Sequence, residues 1–240
     1  MPQTHEVQNT SRAAVAAVFG ANGAIGSAIA DRLDDSGRFQ TVFRFSRRTD
    51  PAVDITSEAS VAAAADLATG TDKALRLVVD ATGFLHGPDA MPEKSWRDLD
   101  PERMARAFAV NAIGPALILK HFLPLLPHAG RSVFATLSAK VGSIADNRLG
   151  GWYSYRASKA ALNQIVRTAA VELGRRRPDA ICVALHPGTV DSPLSAPFAK
   201  DGLTVHPPAR AAERLLDVID GLTPADSGGF YDHSGKPLPW

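Results

Sequence analysis

Tyr155 and Lys159 stand four residues apart in YRASK, at the start of a long uninterrupted helical pattern. Side chains at that spacing leave a helix on one face, so a phenol and an ammonium are placed side by side. Tyrosine ionises at a pH of about 10 and is a poor base at neutral pH. A fixed cation a few ångströms away favours the phenolate and brings that proton within catalytic reach. The chemistry on offer is proton donation to an oxygen, or its reverse. Chance yields roughly 0.09 such pairs in a chain of this composition, so the motif takes its meaning from its surroundings.

Short apolar runs alternate with longer amphipathic stretches around it. The runs are Ala14–Phe19, Thr41–Phe45, Leu75–Val79, Val133–Leu137 and Ile181–Leu185, with a late one at Phe230–Tyr231. Several are apolar without alternation, as strands buried on both faces are. Helical stretches fall near Ile25–Asp35, Ser57–Ala68, Pro101–Leu119, Tyr155–Arg175 and Ala209–Ile219. Asp100 followed by Pro101 is a helix start, a capping side chain and then a residue whose missing N–H costs nothing. The order predicts an α/β fold: a single doubly wound parallel sheet with helices on both faces. One domain is expected over 13–240, after a flexible tail over 1–12. Ser192–Pro208 carries four prolines and no clear period. It reads as a substrate loop, an irregular excursion over a ligand site.

The first strand runs into Gly20-Ala21-Asn22-Gly23-Ala24-Ile25-Gly26, which opens a helix. Glycines let the backbone turn tightly and approach a pyrophosphate, and the helix N-terminus offers N–H groups and a positive dipole end. The second strand ends in Ser46, Arg47 and Arg48, with no acid until Asp50. An acid there would hold the ribose hydroxyls of NAD, whereas guanidinium forks bind a 2′-phosphate. NADP(H) is therefore expected over NAD(H).

Together these pieces resemble the short-chain dehydrogenase/reductase family over nearly the whole chain. Gly20, Ala24 and Gly26 fall where its Gly-x-x-x-Gly-x-Gly stands, with Ala24 replacing the middle glycine and Gly23 one place early. Asp54, in Val-Asp-Ile-Thr, is similar to the family's aspartate after the third strand, which contacts adenine, and Ile55 follows it. Asp80-Ala81-Thr82-Gly83 occupies the place of Asn-Asn-Ala-Gly and keeps only the glycine outright. Asn111 matches the helix asparagine that organises a water, and Tyr155 and Lys159 match the catalytic pair. Pro187-Gly188-Thr189-Val190-Asp191-Ser192 resembles Pro-Gly-x-x-x-Thr. SAKVGSIADNRLGGWYSYRASKAALN and SGGFYDHSGKPLPW are similar to the C-factor-like and small carbonyl reductase-like branch.

The resemblance implies a Rossmann-type sheet and hydride transfer between NADPH and a carbonyl or alcohol. Tyr155 is the proton donor or acceptor, and Lys159 lowers its pKa and holds a ribose hydroxyl. Ser138, ending Val133–Leu137, hydrogen-bonds the substrate oxygen; Ser143, 12 residues before Tyr155, competes for that role. The implied cofactor contacts are Gly20, Asn22, Gly23, Ala24, Ile25 and Gly26, then Ser46, Arg47, Arg48, Asp54 and Ile55. Ala81, Thr82, Gly83, Asn111, Tyr155, Lys159, Pro187, Gly188, Thr189 and Val190 complete them. The alternative is a dinucleotide-binding signalling or regulatory protein. A homodimer or homotetramer is implied, paired through the two long helices.

The 240 residues balance 26 Lys and Arg against 25 Asp and Glu. That leaves no nucleic-acid footprint, and Arg175–Arg177 reads as a helix end favoured by the dipole. Cys182, the single cysteine, lies in ICVAL and is expected to be a buried, inert thiol. No apolar stretch is expected to span a membrane, and MPQTHEVQNT lacks the order of a secretion signal, so a cytoplasmic protein is expected. The seven histidines show no metal-ligand spacing with Cys182, and no metal is expected. His86, three residues after Gly83, is read as a loop residue, with a place facing the nicotinamide pocket as the alternative, and His186 as a hydrogen-bonded strand end. Trp152 and Tyr153 line a substrate pocket or pack in the core. Pro193, Leu194, Pro197, Phe198 and Leu203 point to an apolar carbonyl substrate.

Overall fold

The apolar runs become strands: β1 (Ala14–Phe19), β2 (Thr41–Phe45), β3 (Ala74–Asp80) and β4 (Ser132–Leu137), followed by β5 (Ala180–His186). The structure, a computed structural model, describes residues 14–87, 91–198 and 204–240. The expected 1–12 tail and Leu203 of the substrate loop lie outside them. Between β5 and the last sheet strand come β6 (Thr189–Val190) and β7 (Val205–His206), which pair with each other. These two-residue strands are too short to leave a periodic signal. With β8 (Phe230–Asp232), the main sheet runs β2-β1-β3-β4-β5-β8, every pair parallel.

Within β1, Val15, Ala17 and Phe19 face one core and Ala16 and Val18 the other. That double burial is why the run is apolar at every position. Helices α1 (Ala24–Asp35) and α6 (Pro208–Gly221) cover one face through Ile29, Leu33, Ala212 and Leu215. On the other face lie α2 (Glu58–Thr69), α3 (Pro101–Phe108), α4 (Gly114–Phe122) and α5 (Tyr153–Arg176). Val61, Ile118, Phe122, Leu162 and Val166 anchor that layer. Asp100 caps α3 by accepting from Arg103 N at 2.8 Å, with Pro101 at the first position.

The expected helix Pro101–Leu119 is not continuous. A π turn at Ala109–Ile113 separates α3 from α4, since one inserted residue leaves the apolar pattern unbroken. The whole stretch Pro101–Leu125 also corrects the expectation that nothing reaches membrane-span length. An 18-residue window within it, with a mean hydropathy of 1.4, passes that test by length and composition alone. From Ala107 to Pro124 its only Asp, Glu, Lys or Arg is Lys120. In the fold, Ile118, Leu119 and Phe122 of this stretch pack against the sheet.

The chain leaves β1 toward β2 on one side, and β3 lies on the other side of β1. A crevice opens at such a reversal, beyond the carboxyl ends of the strands. There Gly20, at φ +72°, follows β1 so closely under the segment after β3 that a Cβ would stand 2.8 Å from the Ala81 carbonyl oxygen.

Candidate active site

The glycine turn is built for close approach. Gly23 N donates to Gly20 O at 2.8 Å, and a Cβ on Gly26 would collide with that same oxygen. No side chain caps α1 and its first turn carries no acid, so the N–H groups of Ala24, Ile25 and Gly26 begin an open, positive helix end. Ala21 N reaches Phe45 O at 3.2 Å, and Ser46 Oγ donates to Asn22 Oδ1 at 2.7 Å. The turns after β1 and β2 thus form one surface. Arg44 is held by Asp31 at 2.7 Å and Asp34 at 2.5 Å. Arg47 and Arg48 are exposed and form no ion pair among the described residues.

Asp54 does not follow a third strand. It lies in the irregular link between β2 and α2, where Val53 N donates to Ser46 O. Its carboxylate accepts from Thr56 N at 2.9 Å and Thr56 Oγ1 at 2.8 Å. Those bonds, with a smaller pull from Arg47, hold its pKa below the usual carboxylate value. Ile55 packs on Gly114, where a Cβ would come within 2.7 Å of Ile55 Cδ1.

The first turns of α5 carry Tyr155 and Lys159. Lys159 is 2% exposed and its Nζ donates to Leu137 O at 2.8 Å, at the end of β4. A Cβ on Gly83 would sit 3.9 Å from Asn111 Oδ1 and 4.0 Å from Lys159 Nζ, so three expected residues converge on one point. The expected depression of the phenol is not what the pair shows. Burial pushes Tyr155 up to about 12, and it brings Lys159 down to about 8 against the pull of Asp80. The reason is that a low-dielectric pocket disfavours the charged form of each group.

The Asn111 side chain is occupied within the fold. Its Oδ1 accepts from Phe84 N and its Nδ2 donates to Phe84 O, both at 2.7 Å, and Nδ2 also reaches Ser158 Oγ at 3.1 Å. The amide clamps the segment after Gly83 rather than facing the crevice with free donors. Ahead of it, Asp80 accepts from Thr82 N and Thr82 Oγ1 at 3.0 and 2.6 Å, and Ala81 N bonds Phe19 O. Ser138 follows β4 directly and donates to Asn163 Oδ1 at 2.6 Å. Ser143 instead donates to Trp240 O and accepts from Asp146 N. Of the two serines, Ser138 is the one beside Lys159's partner Leu137.

Pro187-Gly188 joins β5 to β6. Gly188, at φ +78°, leaves room for the His233 ring, and Thr189 and Val190 form β6. His186 corrects another expectation: its Nδ1 is buried without a hydrogen-bond partner among the described residues, and burial lowers its pKa to about 4. Cys182 is buried, which raises its thiol to about 12. Among the described residues no three His, Cys, Asp or Glu converge as metal ligands.

An aromatic wall flanks Tyr155. The Trp152 ring lies 6.2 Å from Tyr155 and 4.8 Å from Phe198 of the substrate loop. Phe198 meets His86 at 5.5 Å, and His86 Nε2 contacts Pro193 O at 3.0 Å. Trp152 reaches this place through a left-handed backbone, φ +52°, after Gly150 and Gly151 at +63° and +65°. Glu93, which carries no sequence signal, fixes the arrangement. Its carbonyl accepts from Trp152 N, and its buried carboxylate accepts from Ser154 N and Ser154 Oγ. Asn163 was findable, four residues after Lys159 on the same helix face.

A family model described as Enoyl-(Acyl carrier protein) reductase matches residues 13–212. The chain is 40% identical to the C-signal of Myxococcus xanthus over 144 residues, 60% of this chain and 82% of that protein. It is 35% identical over 192 residues to 1-hydroxy-2-glutathionyl-2-methyl-3-butene dehydrogenase of Rhodococcus sp. (strain AD45), 80% of each. Among solved structures, NADPH-bound carbonyl reductase from chicken fatty liver superposes with a TM-score of 0.82 at 25% identity. That match covers 95% of this chain and 100% of the other. Carbonyl reductase Sniffer of D. melanogaster gives 0.81 at 22% identity, covering 95% and 100%.

Proposed function

The chain belongs to the short-chain dehydrogenase/reductase family of oxidoreductases, and we propose that it is an NADPH-dependent carbonyl reductase with Tyr155 as its proton donor. The observation that carries this reading is the convergence of Lys159, Gly83 and Asn111 at one point beside Ser138. NADPH, when bound, supplies a hydride to the carbonyl carbon. The uncapped start of α1, with Gly20 and Gly26 close beneath it, suits a pyrophosphate. Arg47 and Arg48 suit a 2′-phosphate. Ser46, Asn22, Asp54 and Ile55 line the adenosine side, and Pro187–Val190 the nicotinamide side.

Burial keeps the Tyr155 phenol protonated at neutral pH, the form that donates in reduction. Its hydroxyl gives a proton to the carbonyl oxygen as charge develops there, and Lys159 stabilises the phenolate left behind. Ser138 orients the oxygen. Trp152, Phe198 and His86 wall in an apolar substrate and exclude water. Self-association through the α3–α4 stretch and α5 and a cytoplasmic location belong to the same reading. Ala157 and Val171 offer exposed apolar surface on α5, while Leu162 is taken up by the protomer's own core.

The assay is NADPH absorbance followed against ketones, aldehydes and quinones. Tyr155→Phe is expected to lower turnover by about 10²–10⁴-fold while cofactor binding persists. The 40% identity to the C-signal favours one other reading, a dinucleotide-binding signalling or regulatory protein. Tight NADPH binding with no turnover on any substrate would select it.

A further inference from the structure

Three charged side chains are buried among the described residues: Asp80, Glu93 and Lys159. Burying a charge is costly unless it is partnered. Glu93 is committed to Ser154 at the start of α5. Lys159 gives its hydrogen bond to a neutral carbonyl, Leu137 O. Asp80, 0% exposed, accepts from neutral donors, Thr82 on one oxygen and Thr136 Oγ1 on the other at 2.6 Å. Asp80 pairs in register with Thr136 across β3 and β4, and Leu137 is the next residue of β4. The carboxylate and the ammonium therefore share the carboxyl ends of the same two strands. Gly83, three residues past Asp80, lies close against Lys159 Nζ.

We propose that Asp80 is a positioning residue for the Tyr155–Lys159 pair, a buried fixed negative charge that keeps Lys159 protonated through the working pH range. The resembled motif has asparagine here, whereas this chain carries a carboxylate. The inference rests on the reading of Tyr155 and Lys159 as the catalytic pair. Burial alone drives an ammonium toward its neutral form, and Asp80 acts on Lys159 in the opposite direction. Among the described residues no other charged side chain acts on it. Tyr155 stands one turn earlier on α5, and the neutral amide of Asn111 meets the same point beside Gly83. The turn Lys140–Gly142 presents only the Gly142 backbone to the Lys159 stem, and Lys140 pairs outward with Asp146 at 3.4 Å.

The test is an NMR titration of protein labelled with [13Cε]lysine, the Lys159 signal being identified by its loss in Lys159→Arg. Asp80→Asn is expected to lower the Lys159 midpoint by about 1 pH unit or more. Thr136→Val, which keeps the carboxylate and removes one of its hydrogen bonds, is expected to move it far less. An unchanged midpoint in Asp80→Asn, or an equal shift in Thr136→Val, overturns the proposal. So does a wild-type midpoint below a pH of about 7, a result that needs no variant to fold. In the reductase assay the alkaline limb of kcat should move to lower pH in Asp80→Asn by the same amount. If Tyr155→Phe keeps full turnover, the catalytic reading fails instead, and the lysine titration still reports on Asp80.

Discussion

A cation already held by carboxylates differs in kind from one left free, and β2 shows both within five residues. Arg44 is locked to Asp31 and Asp34 on α1, whereas Arg47 and Arg48 stand exposed on the turn beyond. Charge-assisted hydrogen bonds to phosphate contribute about 1.5–3 kcal/mol each. The double variant Arg47→Ala, Arg48→Ala, which removes at least one such bond, is therefore expected to weaken NADPH binding by about 10–100-fold or more and to leave NADH nearly untouched, read by cofactor fluorescence. Equal losses for both cofactors would remove the 2′-phosphate from the account. At this scale the sequence speaks well where spacing along one helix decides, as for Tyr155 and Lys159. It does not show that the Asn111 amide is occupied by Phe84, because residues 27 apart in the chain meet only in the fold. Nor does it show that His186 Nδ1 is buried without a partner among the described residues, since a histidine before a proline looks the same in either state.

The elements were legible to within a residue or two wherever an apolar run or an amphipathic stretch was long enough to show its period. β1 and β2 match their runs, and Ser57, the first residue of the expected second helical stretch, turns out to cap α2. The π turn, β6 and β7 escaped because none changes the hydrophobic pattern. Glycine positions separate two kinds of constraint. At Gly26 the helix start lies against the Gly20 carbonyl, whereas Gly37, at φ +61°, has open space around it. Gly37→Ala meets only left-handed backbone strain, of order 1 kcal/mol. Gly26→Ala must move backbone, so it is expected to cost about 1–3 kcal/mol and to weaken NADPH binding as well. Thermal melts with and without NADPH check both. If Gly26→Ala melts no lower than Gly37→Ala, the close approach is not what holds that turn.

Across the whole molecule, one sheet joins residues from Ala14 to Asp232, so a group buried at the carboxyl end of one of its strands bears on global stability. His186 ends β5 with its pKa lowered by burial from 6.5 to about 4. The unfolded chain takes up that proton as pH falls through 6.5, while the folded chain resists until about 4. Between those values the unfolded state binds more protons, so stability is lost as the pH drops; above 6.5 the group adds no pH dependence. His186→Leu should flatten that part of the stability curve relative to wild type, measured by urea unfolding at several pH values. Identical slopes for the two proteins would show that His186 titrates alike in both states.

The turn after β2 closes without the side chains of Arg47 and Arg48. Ser46 and Thr49 bond each other through the Thr49 hydroxyl, and Val53 N ties the far side to Ser46 O. Those two positions are thus free to vary over generations while the scaffold beneath them is inherited unchanged. On the proposed assignment, a lineage carrying this protein could exchange its electron currency by one or two substitutions, with the proton chemistry at β3, β4 and α5 left intact.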